Sequence, residues 1–134
     1  MLHRMSFCFT NAREAAGFYR TLEYILPCPK CRRNFKNSAL AFPKRAADFP
    51  EWVWRLHNRV TDSLPNAEEH GLRPSFAEVR EMYTSSCHVA AGCEATFLLA
   101  IAETHPGSRA MSEEYLVALR YFIGQYLEKS RITV

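Results

Sequence analysis

The chain has 134 residues, 48% of them hydrophobic and 13% aromatic, so it can form one domain with a buried core and is too apolar to be disordered. Its 17 basic and 14 acidic residues leave a net charge of +3. The basic residues cluster locally around Cys28-Pro-Lys-Cys31, a pattern that argues against nucleic-acid binding. The longest apolar run, residues 95–102, is too short to span a membrane, and the N-terminal residues lack the apolar core of a secretory signal.

Helical signals run along the whole chain, and no segment shows the period-two alternation of a half-buried strand. Asn11 followed by Glu14 resembles a capping box, as does Ser75 followed by Glu78, and Asp48 with the next residues forms a further start signal. Together with the Pro and Gly breaks, these signals predict helices over residues 11–26, 28–38, 50–65, 75–83 and 93–103, and from residue 112 onwards. The predicted fold class is therefore all-α, a small helical bundle.

The helix predicted over residues 50–65 carries two stripes of side chains. One stripe is apolar, must face the core, and comprises Val53, Leu56, Val60 and Leu64. The other follows the spacing i, i+3, i+4, i+7 along its edge and comprises Trp54, His57, Asn58 and Thr61. An isolated histidine on a helix is usually a satisfied core residue. Here an aromatic surface and three hydrogen-bonding side chains lie in one line, which favours a wall for a flat, polar cofactor.

The two-residue spacing in Cys28-Pro-Lys-Cys31 is typical of a dithiol that exchanges electrons. Cys28 is predicted to open a helix, whose dipole, with the neighbouring basic residues Lys30, Arg32 and Arg33, would acidify a thiol. The same spacing also suits half of a zinc site completed by Cys87, His88 or Cys93. A thioredoxin-like motif is a further alternative, although the βαβ context that it needs is not visible.

The other three cysteines are predicted to be structural. Cys8, between Phe7 and Phe9, is expected to be a small buried hydrophobic residue. Cys87 and Cys93 form a close pair for which a local stabilising disulfide, or two buried thiols, is favoured over a shuttle disulfide that passes electrons to Cys28.

Four motifs in order resemble the Erv/ALR family of FAD-linked sulfhydryl oxidases, over roughly residues 2–80. Leu26-Pro27-Cys28-Pro-Lys-Cys31 followed by Trp52-Val-Trp54-Arg-Leu-His57-Asn58-Arg-Val60 is similar to the family's redox motif and its W-x-x-x-x-H-N-x-V-N helix. The opening Leu2-His3-Arg4-Met5 resembles the first-helix L-H-x-M. The segment from Gly71 to Phe76 resembles G-K-P-x-F with one residue inserted.

The resemblance implies a four-helix core over residues 1–84 that cradles FAD, with additional C-terminal helices over residues 85–134 packed on the same domain. Cys31 would be the cysteine next to the flavin, and Cys28 would take electrons from a substrate protein through a mixed disulfide. The electrons would pass through FAD to oxygen, giving hydrogen peroxide, and no metal is implied. The residues implied to hold FAD are His3, Trp54, His57, Asn58, Thr61 and Arg73.

Two alternatives stay open at this point. The first is a flavin-free member of the same fold that acts as an interaction module, because the family's first-helix Trp falls before Met1. The second is a zinc-stabilised helical protein. The expected partners are a thiol-containing protein and molecular oxygen. Binding to nucleic acid or to a membrane is not expected, and the formation of a homodimer is left open. The compartment is left open between the mitochondrial intermembrane space and, for a viral protein, the host cytoplasm.

Overall fold

All regular secondary structure in the described part of the chain is helical. The computed structural model describes residues 1–26, 29–38, 41–63, 71, 73–84, 96, 98–99, 101 and 113–130. No strand occurs among them, which confirms the all-α prediction. A 3-10 turn, Ala46–Asp48, precedes the fifth helix. The helices are α1 (Leu2–Ser6), α2 (Ala12–Arg20), α3 (Leu22–Ile25), α4 (Pro29–Ser38), α5 (Phe49–Asp62), α6 (Phe76–Tyr83) and α7 (Glu113–Ser130). None of these helices is long and apolar enough to cross a lipid bilayer.

Side-chain caps fix the start of two helices. The Asn11 side chain accepts from the backbone N–H of Arg13 at 2.8 Å and of Glu14 at 3.1 Å. The Ser75 hydroxyl likewise accepts from the N–H of Glu78 at 3.2 Å. Each cap satisfies amide groups that have no partner within the helix, so both start positions were readable from the sequence.

Two of the predicted boundaries differ in detail from the structure. The helix predicted over residues 11–26 is divided at Thr21, whose hydroxyl donates to the Phe18 carbonyl at 2.6 Å; such back-bonding bends a helix. Asp48 does stand at the N-cap of α5, but its carboxylate pairs with Arg45 at 3.2 Å instead of capping the helix.

Aromatic rings form the core between the N-terminal helices, α5 and α7. Phe18, Phe49 and Phe122 are fully buried, and the rings of Phe18 and Phe122 stack with their centroids 4.7 Å apart. Tyr19 packs edge-on against Trp52 of α5 at 5.5 Å. Burying aromatic side chains of this size is the main apolar stabilisation available to so short a chain.

The C-terminal helix α7 is held onto the N-terminal helices by polar contacts as well. Lys129 forms an ion pair with Glu14 at 3.0 Å, and the buried Arg4 guanidinium donates to the Tyr126 hydroxyl at 3.1 Å. A Cβ atom at Gly17 would lie only 2.7 Å from the Tyr121 hydroxyl, so this close approach of α2 and α7 uses a glycine. Residues 113–130 thus pack directly on α1, α2 and α3. The division into a core at 1–84 and an extension at 85–134 stays a prediction.

The segment predicted as a buried helix over residues 93–103 is described only in part. Thr96, Leu98, Leu99 and Ile101 are helical. Ile101 is buried and its carbonyl accepts from the Tyr115 hydroxyl at 2.6 Å, whereas Leu99 is 60% exposed. Among the described residues of this segment, Ile101 therefore faces the core and Leu99 faces solvent.

The prediction for Cys8 was incomplete. Cys8 is buried, as expected, but it is disulfide-bonded rather than a plain hydrophobic residue. Its partner lies outside the described residues, as do Cys28, Cys87 and Cys93, so the predictions for those three remain predictions. A disulfide depends on two cysteines meeting in space, and no local pattern indicates which cysteine meets Cys8.

Candidate functional site

One cavity lies where α1, α2, α3, α4 and α5 converge. It has a volume of about 440 Å³ and its walls are almost entirely apolar. We call it the thiol cavity, and its lining comprises Met1, Leu2, His3, Tyr19, Leu22, Leu26, Cys31, Phe35, Val53, Leu56, His57 and Val60. The size and apolar character are those of a pocket for a flat organic group. Three members of the predicted core stripe of α5 line it, whereas Leu64 lies outside the described residues.

Cys31 connects this cavity with solvent. It sits in the first turns of α4, is exposed at the surface, and lines the thiol cavity at the same time. The position follows from the helical spacing of α4, on which Phe35, one turn further on, is buried in the core. A thiol so placed can meet both a group inside the cavity and a reactant arriving from outside.

A second cavity, on the other side of His3 and His57, gathers the six residues that the resemblance implied for FAD. It has a volume of about 380 Å³. We call it the polar cavity, and its lining comprises His3, Trp54, His57, Asn58, Thr61, Arg73, Pro74, Val79, Met82 and Tyr83. The stripe predicted on α5 therefore faces a cavity together with α1, α6 and the segment that precedes α6. Their role in binding a cofactor stays a prediction.

His3 and His57 form the boundary between the two cavities, since both line each of them. His3 Nε2 and His57 Nδ1 are 2.9 Å apart in a hydrogen bond, and the rings are tilted with centroids separated by 5.2 Å. Burial, with the proximity of His57 and of the amino terminus, lowers the pKa of His3 to about 4. His3 is therefore neutral at physiological pH.

Two features of His3 were not evident from the sequence. Its Nδ1 atom is buried and has no hydrogen-bond partner among the described residues. Its ring stacks on Tyr83 of α6, with centroids 5.9 Å apart and planes within 7°. The sequence placed Tyr83 only on the apolar face of α6. In the sequence, Tyr83 is visible only as an aromatic residue one helical turn beyond Val79. That position does not by itself indicate contact with His3, which is 80 residues away.

Trp54 fixes the segment before α6 against α5. Its indole N–H donates to the Pro74 carbonyl at 2.9 Å, and its ring lies against Phe76 at 5.9 Å between centroids. Arg80 in turn lies over the Phe76 ring at 4.7 Å. The indole thus forms part of the wall of the polar cavity and also holds Arg73 and Pro74 in place.

Two polar side chains of this cavity, Arg73 and Thr61, are engaged in local contacts. Arg73 donates to the Asn58 carbonyl at 3.3 Å and forms an ion pair with Asp62, whose side chain is 64% exposed. The Thr61 hydroxyl donates to the His57 carbonyl at 3.0 Å, which leaves its oxygen able to accept. An anionic ligand would have to share the Arg73 guanidinium with Asp62.

Metal binding finds no support within the described part of the chain. No three His, Cys, Asp or Glu side chains are grouped there as a metal site would require. The ligands of the zinc alternative, Cys28, Cys87, His88 and Cys93, lie outside the described residues.

The comparison with known families covers the part of the chain that builds both cavities. The model of the Erv1 / Alr family matches residues 1–84, well over half of the chain. No curated protein and no solved structure matches. The matched span includes α1 to α6 and with them every described residue that lines the thiol and polar cavities. The chain belongs to the Erv1 / Alr family.

Proposed function

We propose that this chain is an FAD-dependent sulfhydryl oxidase that converts protein dithiols to disulfides and produces hydrogen peroxide. The observation that carries the proposal is the position of Cys31, which is exposed to solvent and also lines an apolar cavity. Family membership supports oxidase chemistry in general. FAD, the oxygen step and the roles of individual residues are our proposal.

FAD fits the residues that are present. The thiol cavity suits a flat ring system next to Cys31, and the polar cavity suits the more polar remainder, with Trp54 as an aromatic surface. The unpartnered Nδ1 of His3 is a buried polar atom that a ligand would satisfy. His3, Trp54, His57, Asn58, Thr61 and Arg73 would hold the cofactor. When bound, FAD would accept two electrons from the Cys28/Cys31 dithiol and deliver them to molecular oxygen.

The chemistry of the chain itself is thiol–disulfide exchange. A substrate thiolate attacks the sulfur of Cys28 in the Cys28–Cys31 disulfide, and the Cys31 thiolate leaves. The second substrate thiol, after losing its proton, attacks the mixed disulfide and releases Cys28. The substrate gains one disulfide and loses two electrons and two protons, and the Cys28/Cys31 pair gains the two electrons. The Cys31 thiolate is thereby left at the wall of the thiol cavity.

The other residues of the site would orient a bound group and exclude water from it. Apolar walls such as Phe35, Leu56 and Val60 would help a bound group to exclude water from the thiol cavity, which strengthens electrostatic interactions inside it. His3, which is neutral at physiological pH, adds no charge next to the Cys31 side of the cavity. The site thus favours an uncharged, planar group at its apolar end.

A flavin-free interaction module of the same fold is the second candidate. The observation in its favour concerns Arg73, the cationic side chain of the polar cavity. Its guanidinium already pairs with Asp62 and donates to the Asn58 carbonyl, so its charge is compensated without a ligand. In that case the cavities would be remnants of a lost cofactor site, and Cys31 would have no electron acceptor.

Oxygen consumption by the purified protein separates these two functions. The protein, supplied with FAD, should consume one oxygen and form one hydrogen peroxide for each dithiothreitol oxidised. Cys31→Ser should stay folded and retain FAD but lose this turnover, because the side chain reacts with the cofactor and contributes little to holding it. A protein that neither retains FAD nor consumes oxygen would support the interaction module, and a fully active Cys31→Ser protein would refute the role of Cys31.

A further inference from the structure

We propose that the exposed face of α4 beside Cys31 recognises an acidic segment of the substrate protein, so that the enzyme prefers dithiols flanked by Asp or Glu. The inference rests on the proposed function, because it assumes that Cys28 and Cys31 are where substrate electrons enter. It concerns the class of substrate, which neither the family match nor the two cavities define.

Charge is distributed unevenly along the chain. Six of the 17 basic residues, and none of the 14 acidic ones, fall between residues 24 and 47. The nearest carboxylates along the sequence are Glu23 and Asp48. The rest of the chain holds 11 basic against 14 acidic residues, so the small overall net charge hides a strongly cationic segment around the redox motif.

The structure places three of these basic residues together on the surface of α4. Cys31 is exposed, and so are Lys30, Arg33 and Lys36, which the helical spacing of about 100° per residue puts on one side of α4. We call this set of three the α4 basic face. Arg32 is only partly exposed, and its guanidinium donates to the Leu26 carbonyl. Cys31 lies about 100° around the helix from Lys30 and farther from Arg33 and Lys36, so the α4 basic face borders the thiol at Lys30 and does not extend into the thiol cavity.

The α4 basic face is not neutralised within the described part of the protein. No described carboxylate forms an ion pair with Lys30, Arg33 or Lys36. Elsewhere the described basic residues include several that are paired, with Arg45 bound to Asp48 and Arg55 to Glu51. Cations that have no partner among the described residues, on the helix that carries the reactive thiol, are available to an incoming anionic group.

The dimensions suit a short stretch of extended polypeptide. The rise of an α-helix puts Lys30 and Lys36 about 9 Å apart along the axis, the length of about three residues of an extended chain. This separation is comparable with the Debye length of about 10 Å at 0.1 M salt, so the three cations act together on an approaching segment. Two or three carboxylates beside a substrate cysteine would complement the face, and attraction of this kind raises association rates.

The test compares reduced dithiol peptides of one length that differ only in their flanking residues, either acidic or basic. The readout is the ratio of kcat/KM for the acidic peptide to that for the basic peptide, measured by oxygen consumption. A ratio cancels any change in the intrinsic reactivity of the thiol. The wild-type ratio should be about tenfold or more at low ionic strength. It should shrink towards one in 0.5 M salt, which shortens the Debye length to about 4 Å.

Two charge-reversal proteins with the same change in net charge locate the effect. K30E/R33E/K36E should reverse the preference, because the face becomes anionic. R13E/R59E/R120E is the matched control, since these three arginines are exposed on α2, α5 and α7 and have no ion-pair partner among the described residues. The control should keep the wild-type ratio.

Three outcomes would overturn the inference. The first is oxidation of both peptides at the same rate by a wild-type protein that turns over dithiothreitol, which would leave the oxidase intact and remove the substrate preference. The second is an equal loss of preference in both charge-reversal proteins. The third is binding of a DNA duplex that disappears in K30E/R33E/K36E while the peptide ratio is unchanged, which would assign the face to nucleic acid. Failure to oxidise dithiothreitol would instead refute the proposed function.

Discussion

The neutral state of His3 predicts a specific loss of stability in acid. The pKa of this imidazole falls from the usual 6.5 to about 4 on folding, because burial and the adjacent His57 disfavour the charged form. Between these two values the unfolded chain binds a proton at His3 and the folded chain does not, so the free energy of unfolding decreases as the pH falls. At about 1.36 kcal/mol per pKa unit, the loss attributable to His3 is about 3 kcal/mol across the window.

Urea denaturation at a series of pH values between 7 and 4.5 measures this loss. Carboxylates also titrate there, so the relevant quantity is the difference between the wild type and His3→Gln, which cannot gain the proton. The wild type should lose about 2 to 3 kcal/mol more than the variant. His57→Gln is the second variant, and it should reduce the difference in part, because it removes one of the causes of the lowered His3 pKa and leaves the burial. The same pH dependence in wild type and His3→Gln would refute a buried neutral imidazole.

Further predictions concern the cofactor wall, the core and the cysteines. Trp54→Ala should weaken FAD binding by about 10- to 100-fold through lost stacking, whereas Trp54→Phe should lose less, as measured by FAD fluorescence titration. Phe122→Ala should lower the free energy of unfolding in urea by about 3 to 5 kcal/mol, because its ring is fully buried against the N-terminal helices. Non-reducing peptide mapping should link Cys8 to a cysteine other than Cys28, since a Cys8–Cys28 disulfide would contradict the proposed function.

Local signals in the sequence predicted much of the fold and, at the site, the line of α5 side chains that faces the polar cavity. The caps at Asn11 and Ser75 depend only on residues within one turn, so they could be read directly. Helical periodicity placed His57, Asn58 and Thr61 on one line, and the structure brings this line to the polar cavity. Both kinds of signal involve neighbours along the chain.

Contacts between distant residues could not be predicted in this way. The hydrogen bond between His3 and His57 joins residues 54 positions apart, and the buried pair of Arg4 and Tyr126 joins residues 122 positions apart. The family resemblance named both histidines as cofactor residues but gave no reason to expect that they bond to each other. Such contacts follow from the packing of α1 against α5 and α7, which no local pattern encodes.

Anaerobic reduction of the FAD-loaded protein is the decisive test of electron transfer from Cys31 to FAD. With oxygen removed, one dithiothreitol per bound FAD should bleach the visible flavin absorbance, and admitting oxygen should restore it with formation of one hydrogen peroxide. Cys31→Ser, loaded with FAD to the same extent, should keep its yellow colour under the same treatment. Flavin that is bleached equally fast in Cys31→Ser, or that stays oxidised in the wild type, would contradict electron transfer through Cys31.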